Sequence, residues 1–108
     1  MAEYLQVLTT TGSEAEAERI STALIDRRLA ACVQVVGPIS SRYRWQGEVE
    51  TAREWMCVAK TEATRYPELE AAIRELHSYD EPEIVATPIV AGSKGYLGWI
   101  SESLAPDA

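Results

Sequence analysis

Phenylalanine is absent from the 108 residues, histidine occurs once and cysteine only twice. Cys32 and Cys57 stand far apart rather than in a CxxC pair, so neither a zinc ribbon nor a disulfide framework is indicated. No apolar run approaches the ~20 residues that a bilayer span requires. The start, Met1-Ala2-Glu3-Tyr4, lacks the basic, apolar and small-residue order of a signal peptide, which places the expected compartment in the cytoplasm. Positive charge is also scarce: 10 Lys and Arg stand against 17 Asp and Glu, giving −7 with no basic run. Polyanions are repelled by such a chain, so nucleic acid and anionic membrane are excluded as expected partners and cations are favoured. No GxGxxG, Walker loop, GxSxG or HExxH occurs. Thr11-Gly12-Ser13, at the start of a predicted helix, lacks the arginine that an acyl-phosphate hydrolase would need, so the expectation is a protein that is not an enzyme.

What is present is an ordinary globular balance, 46% hydrophobic and 25% charged, at a length that suits one domain over residues 1–108. Tyr4 to Thr10 is a β-branched, apolar strand. Ser13 with Glu16 forms a capping-box pattern, and Ala17, Ile20, Ala23 and Leu24 share one face of the helix that follows. Strand character returns at Cys32–Val36 and resumes from Ile39 to Trp45. Pro38 lacks an amide donor and marks a bulge or bend between them. Beyond it Ile39, Ser41, Tyr43 and Trp45 share one face, and Ser40, Arg42 and Arg44 the other. Gln46-Gly47 is the turn, and Val49 to Thr61 returns as a strand, with Arg42 and Arg44 expected to lie opposite Glu48 and Glu50. A second helix opens at Pro67 and stops near His77; Glu83 to Val90 is a last strand, edge or terminal because of Pro88. A short helix carrying Tyr96, Leu97, Trp99, Ile100 and Leu104 ends the chain.

The order predicts an α+β, ferredoxin-like βαββαβ domain with a long central β-hairpin and an added C-terminal helix. Each hairpin arm is roughly twice the usual strand length of ~5–6 residues. Its outer half, residues 39–52, extends past the four-stranded sheet with Tyr43 and Trp45 uncovered, and symmetric self-association is the economical cover.

Ala31-Cys32-Val33, Tyr43-Arg44-Trp45-Gln46-Gly47, Lys60-Thr61, Leu76-His77-Ser78-Tyr79, Pro82-Glu83-Ile84 and Tyr96-Leu97-Gly98-Trp99 occur in order along nearly the whole chain. In these motifs the sequence resembles the CutA family of divalent-cation-tolerance proteins. The resemblance implies a homotrimer similar to the PII signalling proteins, with strand edges joined between neighbours, and a role in copper or other divalent-cation homeostasis. Gln34 and Ser78 depart from the family pattern. So do Thr9 and Leu76, at positions where some bacterial members carry Cys and His and which are most readily connected with copper.

His77, at a helix C-terminus, is the candidate metal ligand, with Cys32, Glu54 and Glu83 as helpers brought by folding or by a neighbouring subunit. Tyr43, Trp45, Tyr79, Tyr96 and Trp99 are candidates to line an inter-subunit ligand cleft, with Lys60 facing an anionic ligand there. The favoured expectation is a trimer binding copper, another divalent cation or a small ligand. A PII-like trimeric signalling or scaffolding protein that binds a partner protein is the alternative.

Overall fold

The computed structural model describes residues 3–106. Strand β1 (Tyr4–Thr11) leads into helix α1 (Glu14–Asp26), β2 (Cys32–Trp45) and β3 (Glu48–Glu62) form the long hairpin, and a single 3-10 turn at Ala63–Arg65 leads into α2 (Tyr66–Leu76). Strand β4 (Val85–Pro88) and helix α3 (Lys94–Leu104) complete the chain. The sheet order is β2-β3-β1-β4 with every neighbouring pair antiparallel, the ferredoxin-like α+β arrangement.

The alternation of side chains along β1 and β3 decides what each face does. Val7 and Ala59 point to the face covered by α1 and α2, where they join Ile20, Leu24, Leu29, Ala30, Leu69, Ala72 and Ile73 in the buried core. Each fully buried Leu or Ile contributes about 1.5–3 kcal/mol of burial free energy. On the opposite face α3 covers only one end of the sheet. It buries Ile100 and Leu104, and its Ser101 hydroxyl bridges Tyr4 Oη at 2.7 Å and Glu62 Oε2 at 2.8 Å. The middle of that face, with Leu8, Met56 and Val58 half-buried and Val36 46% exposed, is covered by no helix among the described residues.

The bulge falls where Pro38 predicts it. Val36 opposes Met56 and Ile39 opposes Glu54, so Gly37 and Pro38, joined by a cis peptide, together face Trp55. Gly37 is required by this close approach, since a Cβ there would stand 2.5 Å from Trp55 Cδ1. The extra residue also switches the phase of β2: even-numbered side chains share a face with Met56 before the bulge, odd-numbered ones with Glu54 after it. Tyr43 and Trp45 therefore lie on the face of Glu54, Met56 and Lys60. At the tip Gln46 (φ 49°) and Gly47 (φ 82°) form the two-residue turn with both positions left-handed.

Three details differ from expectation. Trp45 opposes Glu48 and Tyr43 opposes Glu50, so Arg42 and Arg44 face Thr51 and Val49 rather than the two glutamates. A two-residue turn fixes that register, and with it which residues share a face. Ser13 Oγ accepts the Glu16 amide at 3.2 Å, but the Glu16 carboxylate does not return to the cap because Ser78 takes it. Strand β4 is shorter than residues 83–90: pairing with β1 begins at Val85, and the chain before it is tied down by side chains instead of a ladder. The subunit measures 48 × 26 × 22 Å with a radius of gyration of 14.6 Å, against ~13 Å for a compact domain of this length, because the outer hairpin projects. No helix among the described residues is long and apolar enough to cross a membrane.

Candidate functional site

The segment between α2 and β4, residues 77–84, is anchored by a buried polar cluster. His77 is the C-cap of α2, and its side chain is fully buried. Its Nε2 lies 2.7 Å from the Thr10 carbonyl oxygen, which only accepts, so Nε2 carries the proton. Its Nδ1 accepts the Tyr79 amide at 3.1 Å. Beside it Glu16, also buried, accepts the Ser78 amide at 2.7 Å and the Ser78 hydroxyl at 2.9 Å, with Oε2 3.4 Å from His77 Nδ1. Both imidazole nitrogens are thus engaged in positioning the loop, and in this tautomer neither has a lone pair free for an ion.

The loop so held delivers Tyr79 to the hairpin. The Tyr79 hydroxyl donates to Glu54 Oε2 at 2.9 Å, and its ring packs 4.8 Å from the His77 ring. Burial of the hydroxyl, and then the adjacent Glu54 carboxylate, push the Tyr79 pKa up to about 12, so it stays a proton donor at neutral pH. Gly12 leaves the space for this contact, since a Cβ there would come 3.2 Å from the Tyr79 oxygen. Between loop and hairpin lies a cleft of about 680 Å³. Tyr43, Trp45, Glu50 and Glu54 form the hairpin wall, Tyr79, Asp80, Glu81 and Glu83 the loop wall, and Thr10, Ser41 and Arg42 also border it. The cleft is strongly acidic and partly aromatic. Among the described residues no three His, Cys, Asp or Glu side chains converge closely enough to enclose a metal ion by themselves.

The residues singled out from sequence fall into two groups. Tyr43, Trp45, Glu54, Tyr79 and Glu83 meet at this cleft, with His77 behind Tyr79 as its support. Cys32, Lys60, Tyr96 and Trp99 sit near the other end of the sheet, Lys60 lying roughly 20 Å from Glu54 at ~3.3 Å per residue along β3. There Lys60 opposes Cys32 and donates to Gln34 Oε1 at 2.8 Å, and Tyr96 packs on Trp99 with ring centres 5.5 Å apart. Partial burial and the neighbouring Cys32 raise the Tyr96 pKa. A single subunit therefore does not bring Cys32 to Glu54, Glu83 or His77. Cys57 is buried, its thiol pKa pushed up by that burial, and it packs as a small core residue beside Ala17 and Ser21.

Sequence reasoning missed Glu16 and Ser78 as the loop's anchor, and Glu50, Asp80 and Glu81 as walls of the cleft. Glu50 was within reach: a two-residue turn at Gln46-Gly47 pairs it with Tyr43. The Glu16–Ser78 contact spans α1 and the loop after α2, and no local pattern announces it.

Comparison with known proteins comes down on one family. Residues 5–103 match the family described as CutA1 divalent ion tolerance protein. A divalent-cation tolerance protein of Thermus thermophilus is 45% identical over 97 residues, covering 90% of this chain and 94% of that protein. The solved structure of a divalent cation tolerance protein from Thermus thermophilus superposes with a TM-score of 0.90 at 44% identity, covering 93% of this chain and 97% of the other. That of the periplasmic divalent cation tolerance protein from Archaeoglobus fulgidus gives 0.92 at 37% identity, covering 94% and 99%.

Proposed function

The chain belongs to the CutA1 divalent ion tolerance family, and on that premise we propose that it is a cytoplasmic homotrimer, not an enzyme, that binds copper, another divalent cation or a small ligand in metal-ion homeostasis. The binding place is the cleft between the outer hairpin and loop 77–84, at the boundary with a neighbouring subunit. The observation that carries this reading is Glu54, a carboxylate only 7% exposed yet bordering the cleft, with Tyr79 donating to one of its oxygens. Burying a carboxylate is costly unless something compensates it, and one neutral phenol is little compensation. A bound cation supplies the rest, with Glu83, Asp80 and Glu50 across or beside it.

Self-association is supported by what the subunit leaves uncovered: Tyr43, Trp45 and Val49 on the hairpin, 41%, 55% and 57% exposed, and the unpaired outer edges of β2 and β4. Since no three ligands converge within the described residues of one chain, a neighbour's groups or water complete the coordination. Carboxylate oxygens favour hard ions such as Mn²⁺, whereas copper also seeks imidazole or thiolate.

Calorimetric titration of the chelator-treated protein with Cu²⁺, Zn²⁺ and Mn²⁺ tests the proposal. Binding is expected in the wild type and lost in Glu54→Gln/Glu83→Gln, with Cys32→Ser unaffected. Equal binding by the glutamine variant removes the cleft as the site.

A further inference from the structure

The cleft is far larger than one metal ion needs. An ion with ligand oxygens at ~2.0–2.6 Å fills a small part of it, and about 680 Å³ is a volume typical of sites for organic molecules. Its acids are also spread out rather than gathered. Glu50 and Glu54 share one face of β3 four residues apart, about 13 Å along the strand at ~3.3 Å per residue, and the facing pair between them, Ser41 and Ala52, is small. Tyr43 stands opposite Glu50, and Trp45 follows on the same face. On the loop wall Asp80 and Glu83 have no ion-pair partner among the described residues, while Glu81 lies 3.1 Å from Arg74. Arg42, the one basic residue bordering the cleft among the described residues, belongs by register to the opposite face of the ribbon. Glu54 is only 7% exposed, and of its two oxygens only Oε2, held by Tyr79, has a hydrogen-bond partner among the described residues. The other oxygen lacks the donor that would offset its loss of water.

We propose that the cleft binds a linear aliphatic polyamine, with one ammonium on Glu54, another on Glu50 and the methylene chain lying over Ser41 and Ala52 beside the rings of Tyr43 and Tyr79. This rests on the cleft assigned above as a cation site and names an organic class for the cation. An ammonium donates hydrogen bonds, which a bare ion does not, so one end of the ligand supplies the missing donor to Glu54 at ~2.8 Å. Length decides how many amines the ligand carries. An extended chain advances ~1.25 Å per bond at a C–C length of ~1.5 Å, so the nine bonds between the terminal nitrogens of spermidine span ~11 Å. With a hydrogen bond of ~2.8 Å at each end it covers the distance between the two carboxylates. Putrescine, with five bonds, spans ~6 Å and reaches only one of them. The faces of Tyr43 and Trp45 attract the ammonium nearest Glu50, and Asp80 and Glu83 add negative potential from the other wall.

Calorimetric titration of the chelator-treated full chain with spermidine, putrescine and Mn²⁺, at ~0.15 M salt to screen diffuse attraction, tests this. One spermidine per subunit is expected, bound at least about tenfold more tightly than putrescine. Glu50→Gln, an exposed position on the projecting hairpin, should bring spermidine down to the level of putrescine and leave putrescine within about twofold of wild type. Glu14→Gln removes the same charge from the exposed side of α1 and should change neither, which separates a site from the general pull of a chain carrying −7. Spermidine bound no more tightly than putrescine, unmoved by Glu50→Gln, or weakened alike by Glu50→Gln and Glu14→Gln, overturns this inference alone, since Mn²⁺ binding that is lost in Glu54→Gln/Glu83→Gln keeps the cleft as a metal site. A wild type that binds none of the three cations overturns the cleft beneath it as well.

Discussion

Replacing Glu16 by alanine cuts the tie between α1 and the loop that forms one wall of the cleft. The carboxylate accepts two hydrogen bonds from Ser78, at 2.7 and 2.9 Å, each charge-assisted and worth ~1.5–3 kcal/mol when its partners are shielded from water. Ser78 is exposed, so its freed donors turn to water and the lower part of the range applies to the pair together. Loss of a negative charge in the first turn of α1 costs a further ~0.3–1 kcal/mol. Alanine's better helix propensity returns a few tenths of a kcal/mol. The net expectation is a destabilisation of about 2 kcal/mol, a shift of the urea midpoint by ~1 M at a typical slope for a small domain. The assay is urea unfolding at fixed protein concentration, since assembly contributes to apparent stability. Hydrogen exchange across residues 77–84 would be followed in parallel. Glu14→Ala is the control: the residue shares the first turn but is exposed, and a change within ~0.5 kcal/mol is expected. An unchanged midpoint in Glu16→Ala, with unchanged exchange in the loop, would refute the anchoring role.

Tyr79, with its pKa pushed up to about 12, should ionise late in an ultraviolet titration of tyrosinate absorbance, and Tyr79→Phe should delete that late component. The shift is upward from an ordinary value of 10, so the stability it contributes is fully present below pH 10 and lost as pH rises toward 12; an early, ordinary titration would remove the Glu54 contact from the reasoning. Thr9 Oγ1 is buried with no hydrogen-bond partner among the described residues, so Thr9→Val should raise thermal stability by ~1 kcal/mol. A destabilised variant would mean that the hydroxyl has a partner after all.

Local chemistry made much of the fold legible. The Ser13 cap, the Pro38 bulge, the Gln46-Gly47 turn and the helical stripe of Ala17, Ile20 and Leu24 are each determined within a few residues, and each appears where the pattern puts it. Strand β4 was drawn too long at its start because Ile84, next to Val85, continues the β-branched run past the point where its partner edge is available: beyond Leu8, on the β4 side of β1, the Thr10 carbonyl is taken by His77. The arginine and glutamate faces were mispaired because register, not proximity in sequence, decides which side chains are neighbours across a hairpin. The cleft was half legible. Tyr43, Trp45, Glu54, Tyr79 and Glu83 converge, but the role of His77 depended on what occupies its two nitrogens, and those partners come from β1 and from its own loop. Cys32 and Lys60 share the face of Glu54 but lie too far along β3 to join it, a distance visible only once the strand is known to run unbroken from Glu48 to Glu62.

Whether neighbours complete the hairpin is tested most directly by the mass of the chelator-treated protein in solution, measured by light scattering. Three times the 11.9 kDa subunit is the predicted result, and a stable monomer at micromolar concentration would contradict it.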